Sequence, residues 1–336
     1  MKKRVTILMP VYNGQEFLQE TMDSVLSQTY ADFNFLIIND GSTDSSEEII
    51  KSYNDPRIVY VENEKNIGYI RTLNRGLDMI DSEFIARMDA DDLWVPTKLE
   101  KQIKVLDEKP EVGICGTSIR KFGVVEGDFI FPVDNDGLRV GFLFFCKMSH
   151  PSVVFRTSFL NETGFRYRVD YHPAEDYKMW VDSIDRTQIW NIPEVLVFYR
   201  QHPSQVTKQK DPSQIHTVNS IREELLTKVS PLFTNEEKKF HNDIFINSDI
   251  QSTQDYKKFR KWSYTLQSKN RESGDYLKDN ILKEELNTHI QVRYKIYILD
   301  KYFKKFSLKS YLSYFLSFDW QYLSFKRNIK LILKQS

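Results

Sequence analysis

Through its first hundred residues the chain alternates between apolar, β-branched runs and amphipathic segments, and no other feature constrains the fold as tightly. "RVTILMPV" is continuous and apolar, as a strand buried on both faces has to be. "QEFLQETMDSVLSQ" follows, with Phe17, Leu18, Met22, Val25 and Leu26 at helical spacing. "DFNFLIIND" repeats the strand pattern and closes on the turn "DGSTD", where Ser42, Thr43 or Asp44 can cap the helix "SSEEIIKSY". "RIVYVEN", "IRTLNRGLDMI" and "EFIARM" continue as strand, helix and strand. Strands that alternate with helices predict an α/β fold, a mostly parallel sheet between helical layers.

At 336 residues the chain calls for one large domain or two unequal ones. Its 47 lysines and arginines equal its 47 aspartates and glutamates, so net charge makes no case for a nucleic-acid partner. Two cysteines, Cys115 and Cys146, argue against a disulfide framework or a cysteine zinc site and fit a reducing compartment. The basic start "MKKR" and the apolar run after it resemble a signal peptide only briefly, because Pro10 interrupts the run and no small-residue cleavage site follows. No segment approaches the roughly 20 apolar residues of a membrane span. The expected location is cytoplasmic, including the inner face of the cytoplasmic membrane. The sequon Asn161-Glu162-Thr163 then reads as chance.

In a parallel sheet of this kind, ligands bind beyond the carboxyl ends of the strands. Those ends deliver Pro10, Tyr12 and Asn13, then Asn39 and Asp40, then Asn63 and Asn66, then Asp89, Asp91 and Asp92. Neither G-x-G-x-x-G nor G-x-x-x-x-G-K-[ST] is present, which removes the usual dinucleotide and P-loop phosphate sites. The last cluster, "RMDADD", sets three carboxylates within four positions. Two readings stand: a solvated acidic turn, or a site where hard oxygen ligands hold Mg²⁺ or Mn²⁺ against a diphosphate.

The segments "ILMPVYNGQEFLQETMDSVLSQTYADFNFLIINDGSTDSS", "NIGYIRTLNRGL" and "EFIARMDADD" resemble the donor half of a family 2 inverting glycosyltransferase with the GT-A fold. "HPSVVFRTSFLNETGF", "AEDYKMW" and "YRQHPSQVT" resemble its acceptor half, in the same order. The resemblance covers residues 4 to 207 and is nearest to bacterial lipooligosaccharide and capsule transferases, including β-1,3-N-acetylglucosaminyltransferases. It implies a Rossmann-like GT-A catalytic domain over residues 1–207, with a donor half to about residue 100 and an acceptor half over about 101–207. A helical C-terminal extension, 208–336, would follow. It also implies transfer from a nucleotide-diphosphate sugar, usually a UDP-sugar, to a glycan or lipid-linked glycan hydroxyl.

Residue by residue, the resemblance pairs Asp40 with the uracil imide and packs Tyr12 on the base, where a core aromatic is the other reading. Asp89 is the first aspartate of a D-x-D motif, at ribose or metal, and Asp91 the second, a direct metal ligand; Ala90 lies between them on the donor. Pro10, Asn13 and Asn66 join the donor site. Arg87 can reach the diphosphate or hold Asp89 in place. Arg71 and Arg75 can meet sugar or phosphate, or lie on the surface. Where the family commonly carries arginine before the asparagine matched by Asn74, this chain has Leu73, which leaves the arginine roles in that helix open. His202 occupies the place of a histidine that returns to the metal or diphosphate, and Arg200 can neutralise a phosphate. Asp176 matches the catalytic base and Glu175 its neighbour, although acids also favour the first turn of any helix. Asp92 reads as the cap of "LWVPTKLEKQI", His150 as structural or near the donor sugar, and Trp180 as core.

Residues 301 to 336 carry eight basic side chains against the one acid Asp319, with Tyr311, Tyr314, Phe315, Phe318, Tyr322 and Phe325 at helical spacing. Such a stripe suits an anionic membrane surface, or packs on the catalytic domain or on another subunit of a homo-oligomer. Three function classes follow: a metal-dependent inverting glycosyltransferase, a polyprenyl-phosphate sugar synthase, and a non-catalytic sugar-nucleotide-binding subunit. The last predicts loss of the metal or base carboxylates, and Asp89, Asp91 and Asp176 are present.

Overall fold

The computed structural model describes residues 2–202, 212–246 and 248–303. The chain divides into two compact units, Met1–Ile221 and Arg222–Ser336. The boundary expected near residue 207 lies outside the described residues, as does the aromatic stripe beyond residue 303.

The first unit begins β1 (Val5–Val11), α1 (Leu18–Leu26), β2 (Phe33–Asn39), α2 (Ser46–Ser52), β3 (Ile58–Glu62), α3 (Tyr69–Met79) and β4 (Phe84–Arg87), the order read from the sequence. β5 (Leu93–Trp94), α4 (Lys98–Glu108), β6 (Val112–Gly123), β7 (Gly127–Phe129), α5 (Asn135–Phe142), β8 (Val154–Arg156), α6 (Thr157–Thr163), α7 (Glu175–Ser183) and β9 (Gln188–Gln201) complete it. One sheet runs β3-β2-β1-β4-β8-β6-β9-β5, with β7 paired to β6. The first four strands are parallel to one another, while β8 is antiparallel to both β4 and β6. β6 and β9 are parallel, and β5 closes the order antiparallel to β9.

Every residue of β1 is buried, because helices cover both faces of the sheet. Ile7, Met9, Phe35 and Ile37 share a core with Leu18, Met22, Val25 and Ile50 of α1 and α2. Leu8 and Ile38, one residue out of phase, face Gly76 of α3. α2 starts without a side-chain bond from its cap residue Ser45; Asp44 serves that end instead, accepting the Ser46 N–H at 3.0 Å.

The second unit is helical. The chain enters it through α8 (Pro212–Val229), continues as α9 (Asn235–Lys239), which runs on as a π-helix to Ile246, and then as α10 (Thr253–Glu272) and α11 (Asp279–Ile298). Thr234 and Glu237 form a reciprocal capping box on α9. Tyr256 of α10 and Tyr294 of α11 pack with ring centroids 4.4 Å apart.

At Gly76, α3 lies close against the sheet. A Cβ there would stand 2.3 Å from Leu8 Cδ1 and 3.1 Å from Ile38 Cδ1. Gly76→Ala gains about 1 kcal/mol of helix propensity yet overpacks a filled contact, which typically costs about 1–3 kcal/mol. Net destabilisation of up to about 2 kcal/mol is expected in urea unfolding; a raised midpoint would contradict the close contact.

Candidate active site

The acidic turn leaves the end of β4 and is gripped from three sides. Asp89, Asp91 and Asp92 each offer an oxygen within 4.8 Å of the others. Arg87, the last residue of β4 and 2% exposed, forms an ion pair with Asp89. His202 Nε2 lies 3.0 Å from Asp91 Oδ2. Behind the turn, antiparallel pairing sets Leu93 against Phe198. That register carries the Arg200 N–H to Asp92 Oδ1 at 2.8 Å and its Nε to the Asp91 carbonyl at 2.7 Å.

Asp92 is therefore not a helix cap. It is fully buried and bound to the main chain of β9, and α4 begins at Lys98 behind the cap residue Thr97, which makes no side-chain cap bond. Two carboxylates of the turn lose hydration and repel one another. Burial, then Asp89, pushes Asp91 up, against the opposing pull of His202. Burial, then Asp91 and Asp89, pushes Asp92 up further. Asp92 Oδ2 is buried without a hydrogen-bond partner. Crowded, under-neutralised carboxylate oxygens beside an imidazole fit a hard divalent cation, with Asp89, Asp91 and His202 as the set that could hold it.

The donor-side residues gather at the neighbouring strand ends. Tyr12 is 51% exposed, so it is no core aromatic. Asn13 ties β1 to the turn after β2: its N–H donates to Ser42 Oγ at 3.0 Å and its Oδ1 accepts the Thr43 N–H at 2.8 Å. Pro10 is buried within β1. Asp40 is buried and accepts the N–H groups of Ile67 (3.0 Å) and Gly68 (3.1 Å) and the Asn63 amide (2.6 Å). Gly41 takes a positive φ of 69°, and a Cβ there would stand 2.7 Å from the Asn66 nitrogen, so this loop lies directly on the turn. Asn66 is exposed and accepts the Gly68 N–H at 2.9 Å. Arg71 is exposed and donates to the Ile67 carbonyl at 3.2 Å. Arg75 binds the Glu62 carbonyl at 3.0 Å, and Ala90 is part-buried between the two D-x-D aspartates.

Arg200 acts on the turn rather than lying open beside it. Its guanidinium packs 4.4 Å from the Phe17 ring and 4.6 Å from the Phe122 ring and pairs with Glu20. On the acceptor side, Glu175 and Asp176 open α7. Glu175 is buried and faces His172 Nδ1 at 3.3 Å. Asp176 is pushed up to about 7, by burial first and by Glu175 next, and Arg87 and Asp89 also act on it. The base candidate and the acidic turn therefore share one electrostatic neighbourhood. Trp180 is fully buried, as expected.

Residues 6–137 match the profile of Glycosyl transferase family 2. An uncharacterised glycosyltransferase of Haemophilus influenzae is 29% identical over 66% of this chain and 73% of its own length. The Escherichia coli UDP-Glc:alpha-D-GlcNAc-diphosphoundecaprenol beta-1,3-glucosyltransferase WfaP is 30% identical over 65% of this chain and 85% of its own. The chain belongs to glycosyl transferase family 2.

Solved structures of low identity share its fold, which is GT-A with a helical C-terminal region. S. aureus TarS 1–349 in complex with UDP-GlcNAc superposes with a TM-score of 0.57 at 15% identity, over 88% of this chain and 81% of that one. The mannosyltransferase PcManGT of Pyrobaculum calidifontis, in complex with GDP-Man and Mn²⁺, gives 0.51 at 16% identity, over 98% and 83%.

Sequence reading missed Asn74, Tyr69 and Tyr167. Asn74 bonds both main-chain groups of Tyr167, and both tyrosine hydroxyls meet His150, at 3.1 Å and 2.7 Å. Nothing in the sequence connects residues 69, 74, 150 and 167, because the sheet order brings them together.

The crowded turn makes a measurable demand. Mn²⁺ should raise the melting temperature of the wild type, by an amount equivalent to about 2.7 kcal/mol when the ion stands at a hundred times its Kd. Asp91→Asn should lose that shift. Its ion-free melting temperature should stay at or above the wild-type value, since one of three like charges is gone. A variant that keeps the full Mn²⁺ shift would remove Asp91 from the metal site.

Proposed function

We propose that the protein is a metal-dependent inverting glycosyltransferase. In this reading it moves a hexosyl or N-acetylhexosaminyl group from a UDP-sugar, such as UDP-GlcNAc, UDP-Gal or UDP-Glc, to a hydroxyl of a lipid-linked glycan. The product serves bacterial surface polysaccharide or lipooligosaccharide synthesis, at the inner face of the cytoplasmic membrane. The observation that carries the reading is that Asp176, a carboxyl raised to about 7, lies within electrostatic reach of Asp89 in the acidic turn and of Arg87, which pairs with it. The printed activity of WfaP, on a diphosphoundecaprenol-linked acceptor, supports the acceptor class. Among the described residues no helix is long and apolar enough to cross a membrane.

Each residue then has a task. Tyr12, exposed at the end of β1, packs on the nucleobase, and Asp40 with the Asn13–Thr43 turn shapes the edge beside it. Arg87 holds Asp89 toward the diphosphate, while Arg200 fixes the main chain of Asp91. A Mn²⁺ or Mg²⁺ ion on Asp89, Asp91 and His202 would supply Lewis-acid neutralisation of the departing diphosphate. Inversion needs a single base across from the leaving group. Asp176 takes the proton of the acceptor hydroxyl as its oxygen bonds to the anomeric carbon and the bond to UDP breaks. Glu175 orients the acceptor and keeps the proton affinity of Asp176 high.

The reading is tested by presenting a panel of UDP-sugars with a diphosphate-lipid-linked GlcNAc acceptor and measuring UDP release. Release that needs both the cation and the acceptor is expected; a cation-independent rate, or no affinity for UDP, would overturn it. Asp176→Asn should keep UDP and Mn²⁺ binding and lose about 10²–10⁴ in kcat. Glu175→Gln should lose less. The base works only without its proton, so wild-type kcat should rise with pH and level off above about 7. In Asp176→Asn that limb should vanish from the residual rate, and a surviving limb would pass the base role to Glu175.

A further inference from the structure

α3 holds the loop of residues 165–168 through a series of bonds. Asn74 clasps the backbone of Tyr167, donating to its carbonyl at 2.8 Å and accepting its N–H at 2.9 Å. One turn on, Asp78 pairs with Arg166 at 2.8 Å. At the start of the helix, the Tyr69 hydroxyl meets His150 Nδ1 at 3.1 Å, and His150 Nε2 meets the Tyr167 hydroxyl at 2.7 Å. His150 and Tyr167 are buried, with the Trp180 ring set edge-on 6.0 Å from the imidazole.

Burial, and next to it Arg87, holds His150 neutral. A neutral imidazole has one N–H and one lone pair, so its two hydrogen bonds must run in the same direction. If Tyr69 donates to Nδ1, then Nε2–H donates to Tyr167 and the Tyr167 O–H is free to point onward; the other tautomer reverses both. Tyr167 lies in the field of Asp176, Glu175 and Asp89. Its loop also walls a cleft of about 300 Å³ shared with Glu175, Lys178 and Asp182.

We propose that His150 is a positioning residue for the acceptor step: through its two tyrosine bonds it fixes the place and hydrogen-bond direction of Tyr167 beside the Glu175–Asp176 pair. The proposal rests on the transferase reading above and adds to it a device that links the donor half to the base.

Hydroxyl deletions test it in the full-length protein, because the Asn74 clasp and the Asp78–Arg166 pair remain to hold the loop. With saturating donor and acceptor, Tyr167→Phe should lower kcat about tenfold and Tyr69→Phe about threefold, both with UDP affinity within about twofold. The double variant should be no slower than Tyr167→Phe, since both changes break one chain of bonds. His150→Gln, which retains a donor and an acceptor, should recover part of what His150→Phe loses. Wild-type kcat in folded Tyr167→Phe, or losses that simply multiply, would overturn the proposal. Nitrogen NMR of the His150 ring reads the same bonds without turnover. A neutral ring in one tautomer, with an Nε2 shift that moves in Tyr69→Phe, is expected. A ring that charges near pH 6, or an Nε2 shift indifferent to Tyr69, would overturn the proposal even where the wild type transfers no sugar. An inactive wild type with the expected ring signals would instead count against the transferase reading alone.

Discussion

Repulsion among Asp89, Asp91 and Asp92 is the constraint around which the rest of the site is built. Unit charges less than 5 Å apart at a protein surface repel by a few kcal/mol, and burial of Asp92 adds its desolvation to that cost. The chain answers with donors drawn from distant places. Arg87 stands directly before the turn, while the Arg200 main chain and the His202 ring arrive more than a hundred residues later. They arrive because the antiparallel pairing of β5 with β9 carries the end of β9 alongside the turn. The end of β9 is therefore part of the turn's construction: without it the turn would keep Arg87 but lose the Arg200 main chain and the His202 ring.

Arg87 is the second organiser. A guanidinium 2% exposed, with Nε and Nη1 free of hydrogen-bond partners, is held in place by charge. Asp89 is its direct partner, and its field reaches Asp92 and Asp176 as well. It draws both acids toward the ionised state and resists protonation of His150. One buried cation thus tunes the acidic turn, the base candidate and the histidine between the two tyrosines. Lysine would not substitute, because an ammonium has no planar face to lay against the Tyr69 ring, which the guanidinium meets at 5.5 Å while one of its nitrogens pairs with Asp89.

Much of this was legible in the sequence, for physical reasons that also mark where reading stops. β1 through β4 and their helices announce themselves by local pattern, since a strand buried on both faces has to be apolar throughout. The carboxylates of the turn and of α7 stand out as short acidic runs at the ends of such patterns. The antiparallel strands do not, because β8 is only three residues long and its placement between β4 and β6 depends on distant partners. Asp92 reads as a cap in the sequence for the same reason: its partner, the Arg200 N–H, is 108 positions away. Composition could not indicate that Asn74 would meet Tyr167.

Asp40 and the loop of residues 165–168 are tied to the same helix, α3. The Asp40 carboxylate is occupied by the Ile67 and Gly68 N–H groups and the Asn63 amide, so it fixes the loop that precedes α3. Tyr69 is the next residue, and its hydroxyl is one end of the chain through His150 to Tyr167. A base edge meeting Asp40 would compete with, or add to, bonds that set the start of α3. That helix holds the loop of residues 165–168 at three points: Tyr69 through His150, Asn74 directly, and Asp78 through Arg166. The loop that Asp40 fixes and the loop that carries Tyr167 are therefore both tied to α3.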